Sequence, residues 1–428
     1  MKVGIIGAGF TGLAAALELT KKGHEVLIFE KEQKPGGLAI GFKEEGWKWE
    51  LEEHYHHFFT NDSFIFDLAK QVNQKIIIKR PKTSTLIDNL IFQLDSPVTL
   101  IKFPLLSLFQ RAHMGFGLAL LRYNPFWKPF DKLNATSILP GLIGKKGYEM
   151  IWKPLFKAKF GNFAKDISLA WFWARIRKRT TALAYPEGGF LSFANKLSDK
   201  IIDNGGKIQY KSEIVSIASD KNVILEIKKD HRLLRMEFDK IIVTSPSHVF
   251  LKIAPQLPTG YKNKLENLKS LGATNLFLRF KKPFLKDSTY WLNVCEENSP
   301  LMAVVEHTNF IDKINYNNEH LVYIGHYLPQ GHEYFSISKE DLLKKFDPYL
   351  ARLNNDYKKN LIGIEFFKTP FAQPVMSTNY NKIIPPFKTP LERVYLANIQ
   401  QVYPWDRGVN YAIELGQKIT KIILNEKD

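Results

Sequence analysis

The sequence of 428 residues has almost no cysteine and no long apolar run. Cys295 is the only cysteine, so an intramolecular disulfide and a thiolate metal cluster are both excluded. A chain without disulfides favours a reducing compartment, so we expect a cytoplasmic protein. No apolar run reaches the roughly 20 residues that a membrane-spanning helix needs. Internal repeats, low-complexity tracts and Gly/Ser linkers are also missing.

The sequence has fewer acidic than basic residues, with 43 Asp and Glu against 60 Lys and Arg, and its formal net charge is +17. Such an excess favours an anionic partner, either a nucleic acid, an anionic membrane or a phosphorylated substrate, although a solvated Lys-rich surface would give the same count. The basic residues are spread along the chain and no nucleic-acid-binding motif is present, so we predict no nucleic-acid partner.

The first thirty residues contain a strand, a glycine-rich turn, a helix and a second strand in that order. The β-branched run at 3–6 leads into the turn at 7–12, GAGFTG, and an apolar helical pattern follows. Such turns bind a dinucleotide, because the first glycine allows the tight turn, the second lets the backbone approach a pyrophosphate, and the third lets the helix pack on the sheet. Glu30 closes the second strand, where an acid accepts hydrogen bonds from ribose hydroxyls. The predicted cofactor-binding residues of this unit are Gly7, Gly9, Phe10, Thr11, Gly12 and Glu30.

The segment after Glu30 resembles the Gly-Gly signature of FAD enzymes in the glutathione-reductase-like superfamily. It reads KEQKPGGL, from Lys31 to Leu38. In that superfamily the paired glycines pass close to the diphosphate and ribityl chain. The resemblance therefore implies FAD as the cofactor, with Lys31, Gly36, Gly37 and Leu38 as further binding residues. Leu38 departs from the arginine that many amine oxidases carry at this place.

Two distant segments resemble the amine oxidase, protoporphyrinogen oxidase and phytoene desaturase group. Residues 185–190, YPEGGF, and 205–217 resemble its middle, where the strand around Val215 touches the adenine side. Residues 394–397 and 408–416, GVNYAIELG, resemble its closing flavin motif, which implies that Asn410 and Tyr411 contact the flavin. Asn398 stands where the superfamily usually has Gly-Asp after Leu-Ala, so it either replaces that phosphate or ribityl contact or the contact is missing.

The resemblance implies an α/β fold with a Rossmann-like FAD-binding domain that is discontinuous in sequence. We expect residues 1–90, 186–250 and 385–428 to form this domain, and 91–185 and 251–384 to form a mixed α+β substrate lobe. Residues 409–424 have apolar side chains at helical spacing, and we expect this helix to direct the positive end of its dipole at the flavin.

The stretch at 52–59, EEHYHHFF, has three histidines and two carboxylates. Strand alternation would put His54 and His56 on one face and His57 on the other, and a His-x-His pair with Glu52 could ligate zinc or iron. Core packing is a second interpretation. The third, which we prefer over a metal, is a flavin or substrate contact in which His56 or His57 acts as an acid or base. Residues 54–62 resemble the histidine-bearing segment of UDP-galactopyranose mutases, which favours this third interpretation.

Residues 101–123 are apolar but include Lys102, Arg111 and Arg122. The segment is too broken to span a bilayer. It would either form a buried helix pair that roofs the substrate cavity, or lie on the inner face of a membrane with its basic residues on anionic head groups.

The family resemblance implies an FAD-dependent oxidoreductase that moves a hydride from a carbon of a small-molecule substrate, lipophilic or anionic, to the flavin. The missing second glycine motif and the missing cysteine pair argue against a dedicated NAD(P)H domain and a disulfide reductase. The place of a lysine that amine oxidases often carry near the flavin corresponds to Asn275, which disfavours amine oxidation. One alternative is a flavin-dependent sugar-nucleotide mutase. Another is a non-catalytic FAD-binding protein of a glycan or lipid pathway.

Overall fold

The glycine-rich turn lies at the edge of a five-stranded parallel sheet in the computed structural model, which describes residues 1–297 and 299–426. In spatial order the strands of this sheet are Lys207–Gln209, Glu25–Phe29, Lys2–Ile6, Lys240–Val243 and Val394–Leu396. Each strand pairs in parallel with its neighbours. Parallel strands all end at one edge, which brings together residues that are almost four hundred positions apart in the chain.

Both faces of the parallel sheet are buried, which explains its β-branched runs. Side chains such as Val3, Ile5 and Ile28 pack beneath three helices, Phe10–Lys21, Phe190–Asp203 and Val409–Asn425. Alternating residues such as Leu27 and Phe29 face a separate antiparallel sheet. The strands of that antiparallel sheet are Glu213–Ser219, Val223–Lys229 and Arg232–Phe238.

A seven-stranded mixed sheet forms the centre of the remaining chain. In spatial order its strands are Leu361–Pro374, Ser270–Phe280, His320–Leu328, Ala303–Glu306, Thr289–Val294, Lys82–Ile87 and Leu90–Gln93. Helix Lys339–Leu353 packs against this sheet. The sequence patterns at 274–280 and 321–327 predict strands and that at 339–353 predicts a helix, and all three form.

Short strands connect the two large sheets. Gly41–Phe42 pairs with Leu51–Glu52, and Leu183–Pro186 pairs with both Phe58–Phe59 and Ile76–Lys79. A π-helical turn spans Tyr148–Trp152. The other α-helices are Ser63–Gln71, Pro97–Ile101, Leu108–Tyr123, Ala135–Ile143, Lys145–Gly147, Lys153–Phe160, Leu169–Lys178, Ser247–Ile253, Thr259–Glu266 and Tyr357–Asn360. Among the helices of the described residues, none has the length and apolar character that a bilayer crossing requires.

All five strands of the parallel sheet lie within the segments 1–90, 186–250 and 385–428. Strand Lys82–Ile87, which we expected in the first of these segments, pairs instead with Thr289–Val294 of the seven-stranded sheet. The pairing is parallel and joins residues about two hundred positions apart, so no local pattern in the sequence could reveal it. The division of the chain into an FAD-binding domain and a substrate lobe stays a proposal.

Candidate functional site

Gly7 and Gly12 are required by the fold of the turn itself. Gly7 has a φ of +107°, a region that side chains of L-residues rarely adopt. A Cβ on Gly12 would lie 2.1 Å from the carbonyl oxygen of Gly7, so the first helix could not pack so closely on the strand. These two glycines bring the N-terminus of helix Phe10–Lys21 to the carboxyl end of strand Lys2–Ile6.

Gly9 is different, because nothing in the protein requires a glycine there. Its φ of −72° and ψ of 171° suit any residue, and a Cβ would lie 3.7 Å from the nearest protein atom, the Cα of Gly37. The helix that follows has no side-chain cap, so the first backbone N–H groups at Phe10, Thr11 and Gly12 lack an intrahelical acceptor. Open space beside unsatisfied N–H groups fits the pyrophosphate of a dinucleotide, and the loop therefore fits FAD.

The Gly36–Gly37 pair closes over this loop. Gly36 forms a parallel bridge with Gly9, and its N–H donates to the carbonyl of Ala8 at 2.9 Å. A Cβ on Gly37 would lie 3.1 Å from the Cα of Gly9. Leu38 follows and lines a small cavity that is described below. The two glycine motifs, which are separate in the sequence, thus form one backbone cradle.

Glu30 lies at the carboxyl end of the second strand and is buried. Its carboxylate accepts hydrogen bonds from the backbone N–H of Ala8 at 2.7 Å and of Glu32 at 3.0 Å. Each carboxylate oxygen can accept a further hydrogen bond, so ribose hydroxyls remain possible donors. Nearby, at the end of strand Lys240–Val243, the buried hydroxyl of Ser245 has no hydrogen-bond partner among the described residues, which is a further polar group available to a ligand.

Lys31 and Val215 are two further predicted cofactor-binding residues, and they differ in how exposed they are. Lys31 is exposed and its ammonium group pairs with Glu32 at 3.3 Å. Val215 is half-buried and lies at an irregular point of strand Glu213–Ser219. The preceding Ser212 donates its backbone N–H to the carbonyl of Glu30 at 2.9 Å, which holds this segment beside the expected ribose site.

The C-terminal helix Val409–Asn425 runs parallel to the first helix and packs closely on it. A Cβ on Gly416 would lie 2.4 Å from the carbonyl oxygen of Thr11, and the Thr420 hydroxyl donates to the carbonyl of Ala15 at 3.4 Å. Seven residues of this helix precede Gly416, so its uncapped N-terminus extends about 10 Å beyond the level of Thr11. Both helices thus direct their positive ends toward the same side of the sheet.

Asn410 and Tyr411, the predicted flavin contacts at the start of the C-terminal helix, differ in whether their polar side-chain atoms already have hydrogen-bond partners within the protein. Asn410 is buried, and its side-chain oxygen accepts from the backbone N–H of Ile65 at 3.1 Å. Tyr411 stacks on Trp405 with ring centroids 5.8 Å apart, and its buried hydroxyl has no partner among the described residues. The Asn398 side chain is already used within the protein, since its Nδ2 donates to Ser245 and Ser247 and its Oδ1 accepts from Gln400.

Residues 53–57 do not form the strand that the alternation argument assumed. They connect strand Leu51–Glu52 to strand Phe58–Phe59 without regular structure. His54 and His56 both line a small cavity, as expected, but Tyr55 lines it too. The remaining residues that line this cavity are Leu38, Ala273, Thr274, Gly325, His326, Tyr327, Ala372 and Arg407.

His56 lines this cavity, and its Nε2 has no hydrogen-bond partner among the described residues. Its Nδ1 is 2.6 Å from the carbonyl oxygen of His54, and a carbonyl only accepts, so Nδ1 carries the proton. Burial, together with the positive charge of Arg407, lowers the pKa of His56 to about 4, although the hydrogen bond to His54 opposes this shift. The ring is therefore neutral near pH 7, and its Nε2 is a hydrogen-bond acceptor or a base.

His57 lies among aromatic side chains instead. Its Nδ1 is 3.1 Å from the hydroxyl of Tyr290, and its ring contacts Phe59 and Trp291. Burial and the charge of Arg179 lower the pKa of His57 to about 3, so this ring is also neutral. Of the two predicted catalytic histidines, the structure places only His56 on the cavity.

The carboxylate proposed as a metal ligand points elsewhere. The two oxygens of Glu52 accept hydrogen bonds from the Tyr185 hydroxyl at 3.0 and 2.9 Å and from the backbone N–H of Phe190 at 2.7 Å. Burial raises the pKa of Glu52 to about 7. Within residues 1–297 and 299–426, no group of three His, Cys, Asp or Glu side chains is placed to hold a metal ion.

A cluster of charged residues that the sequence analysis did not assemble adjoins the cavity. Asp406 accepts from the ammonium group of Lys159 at 3.3 Å and from the guanidinium of Arg175 at 2.6 Å. Arg407 follows directly and donates to the Tyr327 hydroxyl and, at 3.0 Å, to the side-chain oxygen of Gln373. The cluster comes from helices Lys153–Phe160 and Leu169–Lys178 and the loop before the last helix. The position of Arg407 just before the last helix predicts a cavity residue, but the sequence gives no signal for Lys159 or Asp406.

This cluster carries more positive than negative charge. Burial, with a contribution from Arg175 and Arg407, lowers the pKa of Lys159 to about 7, although Asp406 opposes the shift. Burial alone would raise the pKa of Asp406, but the neighbouring cations hold it well below its usual range. The Arg179 guanidinium, one helical turn beyond Arg175, interacts electrostatically with Asp95. The basic groups that act on Asp406 are Lys159, Arg175 and Arg407, so three basic side chains lie around one carboxylate.

Comparison with known proteins adds a family match over nearly the whole chain. Residues 10–416 match the family described as flavin containing amine oxidoreductase. A curated relative, 4,4'-diapophytoene desaturase (4,4'-diaponeurosporene-forming) from Staphylococcus haemolyticus (strain JCSC1435), is 47% identical over 51 residues. That match covers 12% of this chain and only 10% of the relative.

Solved structures are similar over the full length. An oxidoreductase from Methanosarcina mazei has a TM-score of 0.75 at 18% identity, and the match covers 99% of this chain and 100% of that one. Reduced UDP-galactopyranose mutase has a TM-score of 0.74 at 16% identity, with 99% of this chain and 95% of that chain covered. At such low identity these similarities show a shared fold.

Proposed function

Because the chain belongs to the flavin-containing amine oxidoreductase family, we propose that it removes a hydride from a carbon atom of a substrate that carries a carboxylate or phosphate group. Membership confirms the predicted family resemblance, the α/β fold, the FAD cofactor and the class of FAD-dependent oxidoreductase. FAD, when bound, accepts the hydride equivalent at its N5 position, and the chain supplies the binding groups and the electrostatic environment.

The residues that hold FAD in this proposal are those of the backbone cradle. Gly9 leaves room for the pyrophosphate, and the N–H groups at Phe10 to Gly12 donate to it. Glu30 accepts from the ribose, and Leu38 lies where the cradle meets the cavity. Val215, Asn410 and Tyr411 stay predictions as contacts of the adenine and flavin ends. Asn398 has no free donor, so we propose that it shapes the turn after strand Val394–Leu396.

The observation that carries the substrate class is the cluster of three basic side chains, Lys159, Arg175 and Arg407, beside the cavity. An ammonium substrate would bring a further positive charge to within several ångströms of Arg175 and Arg407, at a cost of about 1–4 kcal/mol per close pair near a protein surface. A carboxylate or phosphate would instead accept charge-assisted hydrogen bonds from the same guanidinium groups. The cluster therefore favours an anionic substrate over an amine.

His56 is the proposed catalytic base or hydrogen-bond acceptor on the substrate side. Its Nε2 lone pair can accept a proton from a substrate hydroxyl while the carbon that bears this hydroxyl loses its hydride. The hydrogen bond from Nδ1 to the His54 carbonyl holds the ring in this tautomer. We propose that His57, held by Tyr290, acts only by positioning the segment.

The first experiment is anaerobic mixing of the FAD-loaded protein with matched compounds that differ only in charge, namely a free acid, its methyl ester and the corresponding amine. We expect the acid to bleach the flavin absorbance and the ester and amine to do so at least about tenfold more slowly. Bleaching by the amine alone would contradict the proposal.

Two residues on one helix provide a matched pair for this assay. Arg175 faces Asp406, whereas the Arg177 guanidinium turns away and donates to the backbone carbonyls of Arg122 and Asn124. Arg175→Met should weaken binding of the acid, and Arg177→Met should leave it unchanged. Equal losses in both variants would assign the effect to general surface charge.

A sugar-nucleotide mutase is the second candidate, because the same basic cluster would suit a diphosphate and residues 54–62 resemble the histidine segment of UDP-galactopyranose mutases. The reaction of such an enzyme has no net redox change. If no compound bleaches the flavin, and only the dithionite-reduced protein isomerises UDP-galactopyranose, this candidate replaces the first.

A further inference from the structure

Helix Leu108–Tyr123 has apolar residues on both of its faces. Met114, Gly117 and Leu121 are buried against the protein. On the opposite face, Phe109, Phe116 and Tyr123 expose 79%, 66% and 77% of their surface. A helix on the surface of a soluble domain normally directs charged or polar residues outward. The outer face of this helix is therefore built to contact something other than water.

The exposed apolar residues extend beyond this helix to its neighbours in the chain. Half of the twenty large hydrophobic side chains that are exposed in the described residues fall between positions 98 and 138. These ten residues, which we call the apolar patch, are Val98, Ile101, Leu108, Phe109, Phe116, Leu120, Tyr123, Phe126, Leu133 and Ile138. A surface of this kind usually marks a site of contact with a protein or a membrane.

The charges around the apolar patch have one sign. Residues 96–148 contain seven lysines and arginines and a single acid, Asp131. Asp131 is buried and accepts a hydrogen bond from the Tyr403 hydroxyl, so it contributes little negative charge to the surface. Lys102 and Lys128 are exposed among the apolar residues, whereas the guanidinium of Arg122 donates to the backbone carbonyls of Ile176 and Arg179. The surface thus combines aromatic side chains with unopposed positive charge.

An apolar groove also lies on this surface. It has a volume of about 590 Å³ and lies between helices Leu108–Tyr123 and Ala135–Ile143. Phe116, Leu120, Leu133 and Ile138 line it and also belong to the apolar patch. The groove would accept a flexible hydrocarbon segment without burying a polar group.

We propose that the apolar patch docks onto the surface of an anionic phospholipid bilayer. Aromatic and aliphatic side chains would enter the boundary between head groups and acyl chains, while Lys102 and Lys128 contact the lipid phosphates. A second copy of the chain is a poorer occupant, because two patches of the same positive sign repel each other. The net charge of +17 acts in the same direction, since it attracts the whole molecule to an anionic surface.

The test is flotation of the FAD-loaded protein with vesicles of phosphatidylcholine alone or mixed with phosphatidylglycerol. We expect binding to the mixed vesicles only, and weaker binding as salt is raised. The double variant with Phe109→Ser and Phe116→Ser should bind about tenfold or more weakly, because two exposed rings no longer enter the bilayer. The matched control replaces Leu233 and Leu234 with serine, two exposed leucines of strand Arg232–Phe238 far from the patch in sequence, and should bind normally.

Three results would overturn the proposal. The first is a failure of the wild-type protein to float with anionic vesicles. The second is an equal loss of binding in the patch variant and in the leucine control, which would indicate a non-specific effect. The third is a dimer in solution that the Phe109→Ser and Phe116→Ser changes convert to a monomer, which would assign the patch to a second copy of the chain. None of these readouts depends on the substrate.

Discussion

Gly9 has a backbone conformation that any residue can adopt, and the nearest protein atom is 3.7 Å from the position that a Cβ would occupy. The sequence nevertheless has a glycine at this position. The fold therefore tolerates a larger residue at position 9, and only a ligand that approaches the backbone would be excluded by one. This separates Gly9 from Gly7 and Gly12, whose replacement would strain the turn itself.

We predict that Gly9→Val yields a folded protein without FAD. The expected loss of bound flavin is nearly complete, because the valine side chain would occupy the space next to the uncapped helix N-terminus. Flavin absorbance of the purified protein and its circular dichroism measure the two properties. Gly260→Val is the control, since Gly260 also lies in the first turn of a helix and has nothing within 4 Å of its Cβ position. A fully yellow Gly9→Val protein would falsify the assignment of the phosphate loop.

Lys159 gives the proposed anion site a dependence on pH. Its pKa of about 7 means that the ammonium form is lost as the pH rises through neutrality. An anionic ligand stabilises the ammonium form, so its affinity should increase by up to about tenfold per pH unit as the pH falls toward 7, and level off below it. Titration calorimetry with a substrate-like carboxylate over a range of pH measures this effect. Lys159→Met should abolish the dependence, and Lys157→Met, which removes an exposed lysine of the same helix, should retain it.

At the scale of elements, the first helix, Phe10–Lys21, and the last helix, Val409–Asn425, pack closely on each other beside the candidate cofactor loop. Gly416 allows this approach, with Thr11 and Ala14 at its Cβ position. Sequence analysis predicted both helices from their apolar spacing, because that spacing is a local property. It also predicted the strand–turn–helix unit at 3–30 for the same reason.

We predict that Gly416→Val lowers the free energy of unfolding by about 1–3 kcal/mol and also weakens FAD binding. The added methyl groups would push the two helix N-termini apart. Urea denaturation followed by circular dichroism gives the first quantity and flavin fluorescence the second. Lys421→Val places the same side chain on the exposed side of this helix and should change stability by less than about 0.5 kcal/mol. Equal stability of the two variants would contradict the packing argument.

At the scale of the whole molecule, the candidate site is assembled from side chains that are far apart in the sequence. Lys159, Arg175 and Arg407 meet around Asp406 because two helices and a loop converge beside the seven-stranded sheet. No motif connects these positions, so sequence analysis found the cofactor loop but not the charged cluster. It grouped His56 with His57 because they are neighbours, whereas the irregular backbone at 53–57 directs them to different surroundings.

The order of the strands in the parallel sheet has a consequence for biosynthesis. Strand Val394–Leu396 pairs with Lys240–Val243, and helix Val409–Asn425 covers the first helix, so elements that are far apart in the order of synthesis complete each other. The ribosome therefore makes residues 251–384 before the parallel sheet can close. The nascent chain must keep the buried face of its first helix, Leu13 to Leu17, from aggregating until then. Flavin loading is consequently a late event that follows the synthesis of helix Val409–Asn425.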